Sequence, residues 1–151
     1  MDDDSQTKTF YAGNFRRPID EKNRLTIPSR WRPPDATEFI LLPEPKGQFL
    51  LVMSPEAFAR MNLEVENHPK LDGPERRIFL RHVHARAEHG VADKQGRLVL
   101  PDGMCKELGL KGEVVLIGGR GRFEIWNLAK WKRAHEVESP TYQHVANVIG
   151  L

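Results

Sequence analysis

Apolar and polar positions along this chain alternate in short stretches, a pattern that predicts small strands punctuated by proline and glycine. Arg24 to Ile27 and Arg97 to Leu100 have the two-residue period of a half-buried strand, and each stops at a proline, Pro28 or Pro101. Each is entered from an apolar segment, Thr9 to Phe15 or Ala85 to Ala92, through a polar turn containing Asp. Two more strands follow in each half, joined by turns at Pro43 to Gly47 and Gly118 to Gly121. Helix signals lie between. Ser54-Pro55-Glu56 orders a cap, an N1 proline and a first-turn acid, predicting a helix over 55–66 that buries Phe58, Met61 and Val65. Asp72-Gly73-Pro74-Glu75 opens another, reaching about Arg86. Asp102 to Leu108 reads as a short helix with Gly109 past its end, while Ser29 to Arg32 has room for one turn before Pro33-Pro34. Asn127 caps a helix over Leu128 to Arg133, and the tail after Ser139-Pro140 has the pattern of one or two further amphipathic turns through Val145 and Ile149.

Those elements occur twice. Asp20 to Pro28 matches Asp93 to Pro101 at a constant offset of 73 residues, sharing D-x-x-x-R-L-x-[IL]-P without a gap. Farther on, Ile40-Leu41-Leu42 corresponds to Val114-Val115-Leu116, and Lys46 to Leu51 to Arg120 to Ile125, at an offset of 74. The chain therefore divides into a leader (1–9), a first repeat (14–56), a helical linker (57–84), a second repeat (85–128) and a helical tail (129–151). Half a unit cannot bury both faces of its strands, whereas two copies can intertwine. The expectation is an α+β body: two tandem repeats forming an intertwined pseudo-twofold β-barrel with flanking helices.

Composition narrows the class. At 151 residues, 39% hydrophobic and 29% charged, the chain has the make-up of one soluble globular domain. Its apolar runs fall well short of the roughly 20 residues of a membrane span. The acidic start Met1 to Gln6 is unlike a secretory signal and reads as a short disordered leader on a cytoplasmic protein. A single cysteine, Cys105, excludes an internal disulfide framework. Net charge is only +2, but residues 14–32 hold Arg16, Arg17, Lys22, Arg24, Arg30 and Arg32 against Asp20 and Glu21, a local +4.

Paired basic turns on a pseudo-twofold suit duplex DNA, which itself presents twofold-related phosphates and base edges. Arg24 and Arg97 carry a planar fork able to grip phosphate or read guanine. Asp20 and Asp93, four residues upstream, can accept from turn amides and fix the arginine rotamer. Lys22 and Lys94 add phosphate contacts, and Asn23 and Gly96 occupy the position needing positive φ. The same Asp and Arg could instead serve only to brace the turn. Arg16, Arg17, Arg77 and Arg81 are secondary basic candidates; the last two share a helical stripe with His84 that otherwise reads as a solvated face. Gly118 to Arg122 lacks the Lys-Ser/Thr ending of a phosphate-binding loop and reads as a hairpin turn. His82 and His84, two apart on a helix, diverge, so no metal is expected.

At these residues the sequence resembles the MraZ family of bacterial transcriptional regulators, built of two tandem swapped-hairpin motifs of the SpoVT-AbrB type. The resemblance rests on Asp20 to Pro28, Asp93 to Leu98, Gly112 to Gly118, Arg122 to Trp126 with Trp131, and Glu75-Arg76-Arg77. It spans about Phe10 to Arg133. It implies a cytoplasmic, nucleoid-associated repressor of its own division and cell-wall gene operon, binding short G-rich direct repeats upstream, and a ring-shaped homo-oligomer. It also implies DNA contact through Asp20, Arg24, Asp93 and Arg97. No cofactor or small-molecule substrate is expected. Asn23 stands where the family has glycine, and Trp31 with Pro33-Pro34 alters the turn after the first signature. Two other classes stay open: an oligomeric protein-interaction or antitoxin-like module, and an enzyme, though nothing pairs Asp20 or Asp93 with a second catalytic group.

Overall fold

A computed structural model describes residues 10–32 and 38–151. The leader expected at 1–9 and the Pro33-Pro34 pair lie outside the described residues. In chain order the elements are β1 (Asn14–Pro18), β2 (Arg24–Thr26), a 3-10 turn (Ser29–Trp31), β3 (Glu38–Pro43), β4 (Phe49–Met53), α1 (Pro55–Glu66) and α2 (Gly73–Arg86). The second half adds β5 (Glu88–Val91), β6 (Arg97–Val99), α3 (Asp102–Leu108), β7 (Glu113–Ile117), β8 (Arg122–Asn127) and α4 (Leu128–Ile149). The fold is mixed α+β.

Six strands form an antiparallel sheet ordered β1-β7-β8-β4-β3-β5, and β2 pairs with β6 in a separate antiparallel ribbon. The sheet is open, with β1 and β5 at its edges. Its order is palindromic under the repeat: β1, β3 and β4 occupy places equivalent to β5, β7 and β8. Each copy's first strand pairs with the other copy's third, β1 with β7 and β5 with β3. In the ribbon Leu25 pairs with Leu98, its own counterpart at offset 73, so the pseudo-twofold passes through this pair.

Leu25, Ile27, Leu98 and Leu100 of the ribbon segments face the sheet, burying Leu41, Leu50, Val52, Leu116, Phe123 and Ile125 beneath them. Phe123 packs edge-on to Tyr11 and Phe39 and tilted against Trp31. The opposite sheet face is covered separately for each copy. Phe58 and Met61 of α1 and Val83 of α2 lie on Ile40, Leu42, Leu51 and Met53, and Trp131 of α4 meets Trp126 at 5.4 Å. Two covered faces explain why β3 reads as continuous apolar residues rather than an alternation.

Three local expectations need correction. Phe58, Met61 and Val65 are half-buried, because α1 lies on the outer surface of the sheet. The apolar segment at 85–92 is divided: Ala85 and Arg86 belong to α2, and the strand starts at Glu88. Most clearly, α4 is one helix of 22 residues running through Pro140. The missing proline N–H deprives one turn only, and the Ser139 hydroxyl donates to the His135 carbonyl at 2.7 Å in that turn.

Candidate nucleic-acid interface

The two D-x-x-x-R turns are copies to within 0.1 Å in their bonding. The Asp20 carbonyl accepts from the Asn23 N–H (3.0 Å), and its N–H donates to the Arg24 carbonyl (3.0 Å). Asp20 Oδ1 accepts from the N–H groups of Lys22 and Arg24, both at 2.9 Å, and Oδ2 from Arg24 Nε at 2.8 Å. Asp93 makes the corresponding bonds to Gly96, Gln95 and Arg97, again with 2.8 Å from Oδ2 to Arg97 Nε. The fourth turn residue must adopt positive φ, +60° at Asn23 and +81° at Gly96. The expected Asp bracing is therefore real, and it consumes only Nε. The Nη groups of Arg24 and Arg97 have no hydrogen-bond partner among the described residues, which leaves the planar fork open outward.

Both carboxyls are held below the ordinary carboxylate range. For Asp20 the backbone N–H of Arg24 contributes most, followed by its guanidinium and the Lys22 N–H; Asp93 is held likewise by Arg97 and Gln95.

The ribbon sets the arginines relative to each other. Because Leu25 and Leu98 point into the core, Arg24, Thr26, Arg97 and Val99 share the outer face. Arg24 lies opposite Val99 and Arg97 opposite Thr26, so the arginines stand on a diagonal, about 7 Å apart along the ribbon. Ile27 N–H to the Gly96 carbonyl (2.9 Å) and Leu100 N–H to the Asn23 carbonyl (2.8 Å) tie each turn to the opposite strand. The turns thus flank the ribbon at its two ends.

Other candidates are scattered. Lys22 and Lys94 are exposed within their turns. Arg17 donates from Nε to the Thr26 carbonyl at 3.2 Å and lies over the Phe15 ring, while Arg16 points across the sheet edge to Glu113 at 3.8 Å. Arg77 and Arg81 are exposed on α2, and His84 bonds Asn62 of α1 at 2.9 Å. Residue-by-residue reading missed Arg32. A Cβ at residue 96 would overlap the Arg32 side chain from Cδ to the guanidinium, so this arginine sits on the second turn. The only signal in sequence was its membership of the basic stretch.

Among the described residues no group of three His, Cys, Asp or Glu is placed to hold a metal, and no helix is long and apolar enough to cross a membrane.

A family profile described as "MraZ protein, putative antitoxin-like" matches residues 85–149. A protein of Kocuria rhizophila named transcriptional regulator MraZ is 32% identical over 124 residues, covering 82% of this chain and 85% of the relative. Proteins of the same name from Caldicellulosiruptor saccharolyticus and Acetivibrio thermocellus are 32% and 30% identical, covering 89% and 94% of this chain and 92% and 98% of their own.

Proposed function

The chain belongs to the MraZ family, and from that premise we propose that it is a DNA-binding transcriptional regulator acting through the outer face of the β2–β6 ribbon. The observation that carries the reading is the pair of braced arginines. Asp20 and Asp93 hold Arg24 and Arg97 by Nε, leaving both Nη forks turned outward on one twofold-related surface. Such forks bind phosphate bidentately or pair with guanine O6 and N7. Lys22 and Lys94, and secondarily Arg16 and Arg17, would supply further phosphate contacts, with Arg77 and Arg81 reaching DNA only where it wraps past α2.

On the same reading the two repeats, 14–56 and 85–128, form a swapped-hairpin barrel in which the ribbon spans the open sheet, with 57–84 as linker and 129–151 as tail. The palindromic strand order supports it. The protein represses its own division and cell-wall operon from direct repeats upstream, in the cytoplasm at the nucleoid, and works without enzymatic turnover. A ring-shaped homo-oligomer would set several ribbons on successive repeats. Exposed Val137, Tyr142, Val145, Val148 and Ile149 along α4 support subunit contact.

Fluorescence anisotropy with duplex DNA from upstream of the gene, and a shuffled control, at two salt concentrations tests this. Preferential binding that weakens with salt and is lost in Arg24→Ala/Arg97→Ala is expected. Oligomers with no DNA affinity would favour the second reading, an antitoxin-like interaction module, which the family description also admits.

A further inference from the structure

The two turns share their geometry but not their surroundings. Arg17 reaches the Thr26 carbonyl, and Thr26 is the residue paired with Arg97. Arg32 lies over Gly96, the positive-φ residue of the Arg97 turn. Its Nε is shut off from solvent without a hydrogen-bond partner, and among the described residues its guanidinium has no carboxylate partner. Both arginines come from the first repeat: Arg32 crosses to the second turn because the ribbon is antiparallel, and Arg17 holds the end of β2 that lies beside that turn. Their counterparts at offset 73 are Gly90 and Cys105, so the first turn receives no such help. Gly96 is what makes room: any larger residue there would displace Arg32.

Around the first turn, acids stand at two other corresponding positions. Glu21 stands where the second turn has Lys94, and Asp102 where the first repeat has Ser29. Asp102 accepts from Asn23 Nδ2 at 3.3 Å and pairs with Lys106 at 3.0 Å. Lys22, Arg24, Lys106 and Lys111 there are interleaved with Asp20, Glu21 and Asp102. At the second turn Arg17, Arg32, Lys94 and Arg97 meet one turn carboxylate, Asp93, while Glu38 at the start of β3 is engaged with His89 at 2.9 Å.

We propose that the ribbon binds DNA unequally: the Asp93–Arg97 turn, reinforced by Arg17 and Arg32 of the other repeat, is the dominant phosphate-gripping end, and Arg32 is a phosphate-binding residue in its own right. This rests on the DNA-binding reading above. Like charges collected in one place raise the local potential for a polyanion, whereas interleaved charges cancel within a Debye length.

The test is anisotropy titration of the full chain against the upstream duplex and its shuffled version over a salt series. Arg97→Ala and Arg32→Ala should each weaken binding roughly tenfold, and Arg24→Ala by about a third as much on the same logarithmic scale. Arg32→Ala should act alike on both duplexes and lower the salt slope by about 1, with Arg32→Lys retaining most of the affinity. The reciprocal variant, Glu21→Lys with Asp102→Ser, gives the first turn the second turn's residues and should tighten binding and steepen the slope. It needs no loss of contacts at Arg32, so it remains informative should Arg32→Ala misfold, which far-UV circular dichroism reports. Equal or larger loss in Arg24→Ala, an unchanged slope in folded Arg32→Ala, or no tightening in the reciprocal variant would overturn the inequality while leaving DNA binding intact. A wild type that binds neither duplex would overturn both readings.

Discussion

Asp20 and Asp93 each close a turn with one side chain, accepting from two backbone N–H groups and from an arginine Nε four residues on. A carboxylate placed this way favours its ionised form, so its pKa in the fold lies below its unfolded value near 4. Its contribution to stability is complete above that unfolded value and is lost as pH falls through the lower folded values. Urea midpoints measured between about pH 5 and pH 2 should therefore decline in the wild type and decline less in Asp20→Asn/Asp93→Asn, whose side chains do not titrate. A slope unchanged by the double substitution would remove the two turns from the acid response. This bracing was legible in the spacing alone, since a four-residue separation across a turn needs no distant part of the chain. The neighbours of the two turns were not, because Arg32 and Asp102 arrive from the other repeat.

The helices differ in what holds them. Helix α2 buries only Val83, and its start carries a full capping box, with the Asp72 side chain accepting from the Glu75 N–H and Glu75 returning to the Asp72 N–H. Helix α4 is anchored through Trp131 on Trp126 and capped by Asn127, yet its outer half extends with its apolar side chains exposed and Pro140 within it. An interior proline costs a helix about 3 kcal/mol relative to alanine. Pro140→Ala should raise the far-UV helical signal and slow amide exchange over 136–149, with little change elsewhere; exchange rates unmoved there would mean that other contacts, not the helix ladder, order the segment. The break expected at Pro140 was a fair reading of local propensity. It failed because a cap at Asn127 and a left-handed Gly150 define the helix ends, and a single missing donor does not outweigh the continuous turns on either side.

At the scale of the whole molecule, strands from the two halves share one sheet: β1 pairs with β7 and β5 with β3. Phe123, fully buried, is where the two meet, touching from β8 of the second repeat Trp31 and Phe39 of the first and Tyr11 just ahead of it. Phe123→Ala should cost about 3–5 kcal/mol in urea denaturation. Because that core is shared, tryptophan fluorescence and far-UV ellipticity should lose their signals in one coincident transition in wild type and variant alike. Separate transitions for the two probes would show that the repeats have independent cores.

What the amino-acid sequence determined by itself was everything carried by neighbours a few residues apart: the duplicated D-x-x-x-R turns with positive φ at Asn23 and Gly96, the short strands ended by proline, and the caps at Ser54, Asp72 and Asn127. The family was legible too, because each of its signature segments, such as Asp20 to Pro28, is a run of neighbouring residues. Tertiary structure alone decided which strands pair, that Arg24 and Arg97 lie on one outward diagonal, and that the basic stretch 14–32 is divided between the two turns, with Arg17 and Arg32 carried to the far one. The reason is the antiparallel ribbon. It sets each turn beside residues about 80 positions away or from the opposite repeat, and no local period records such a pairing.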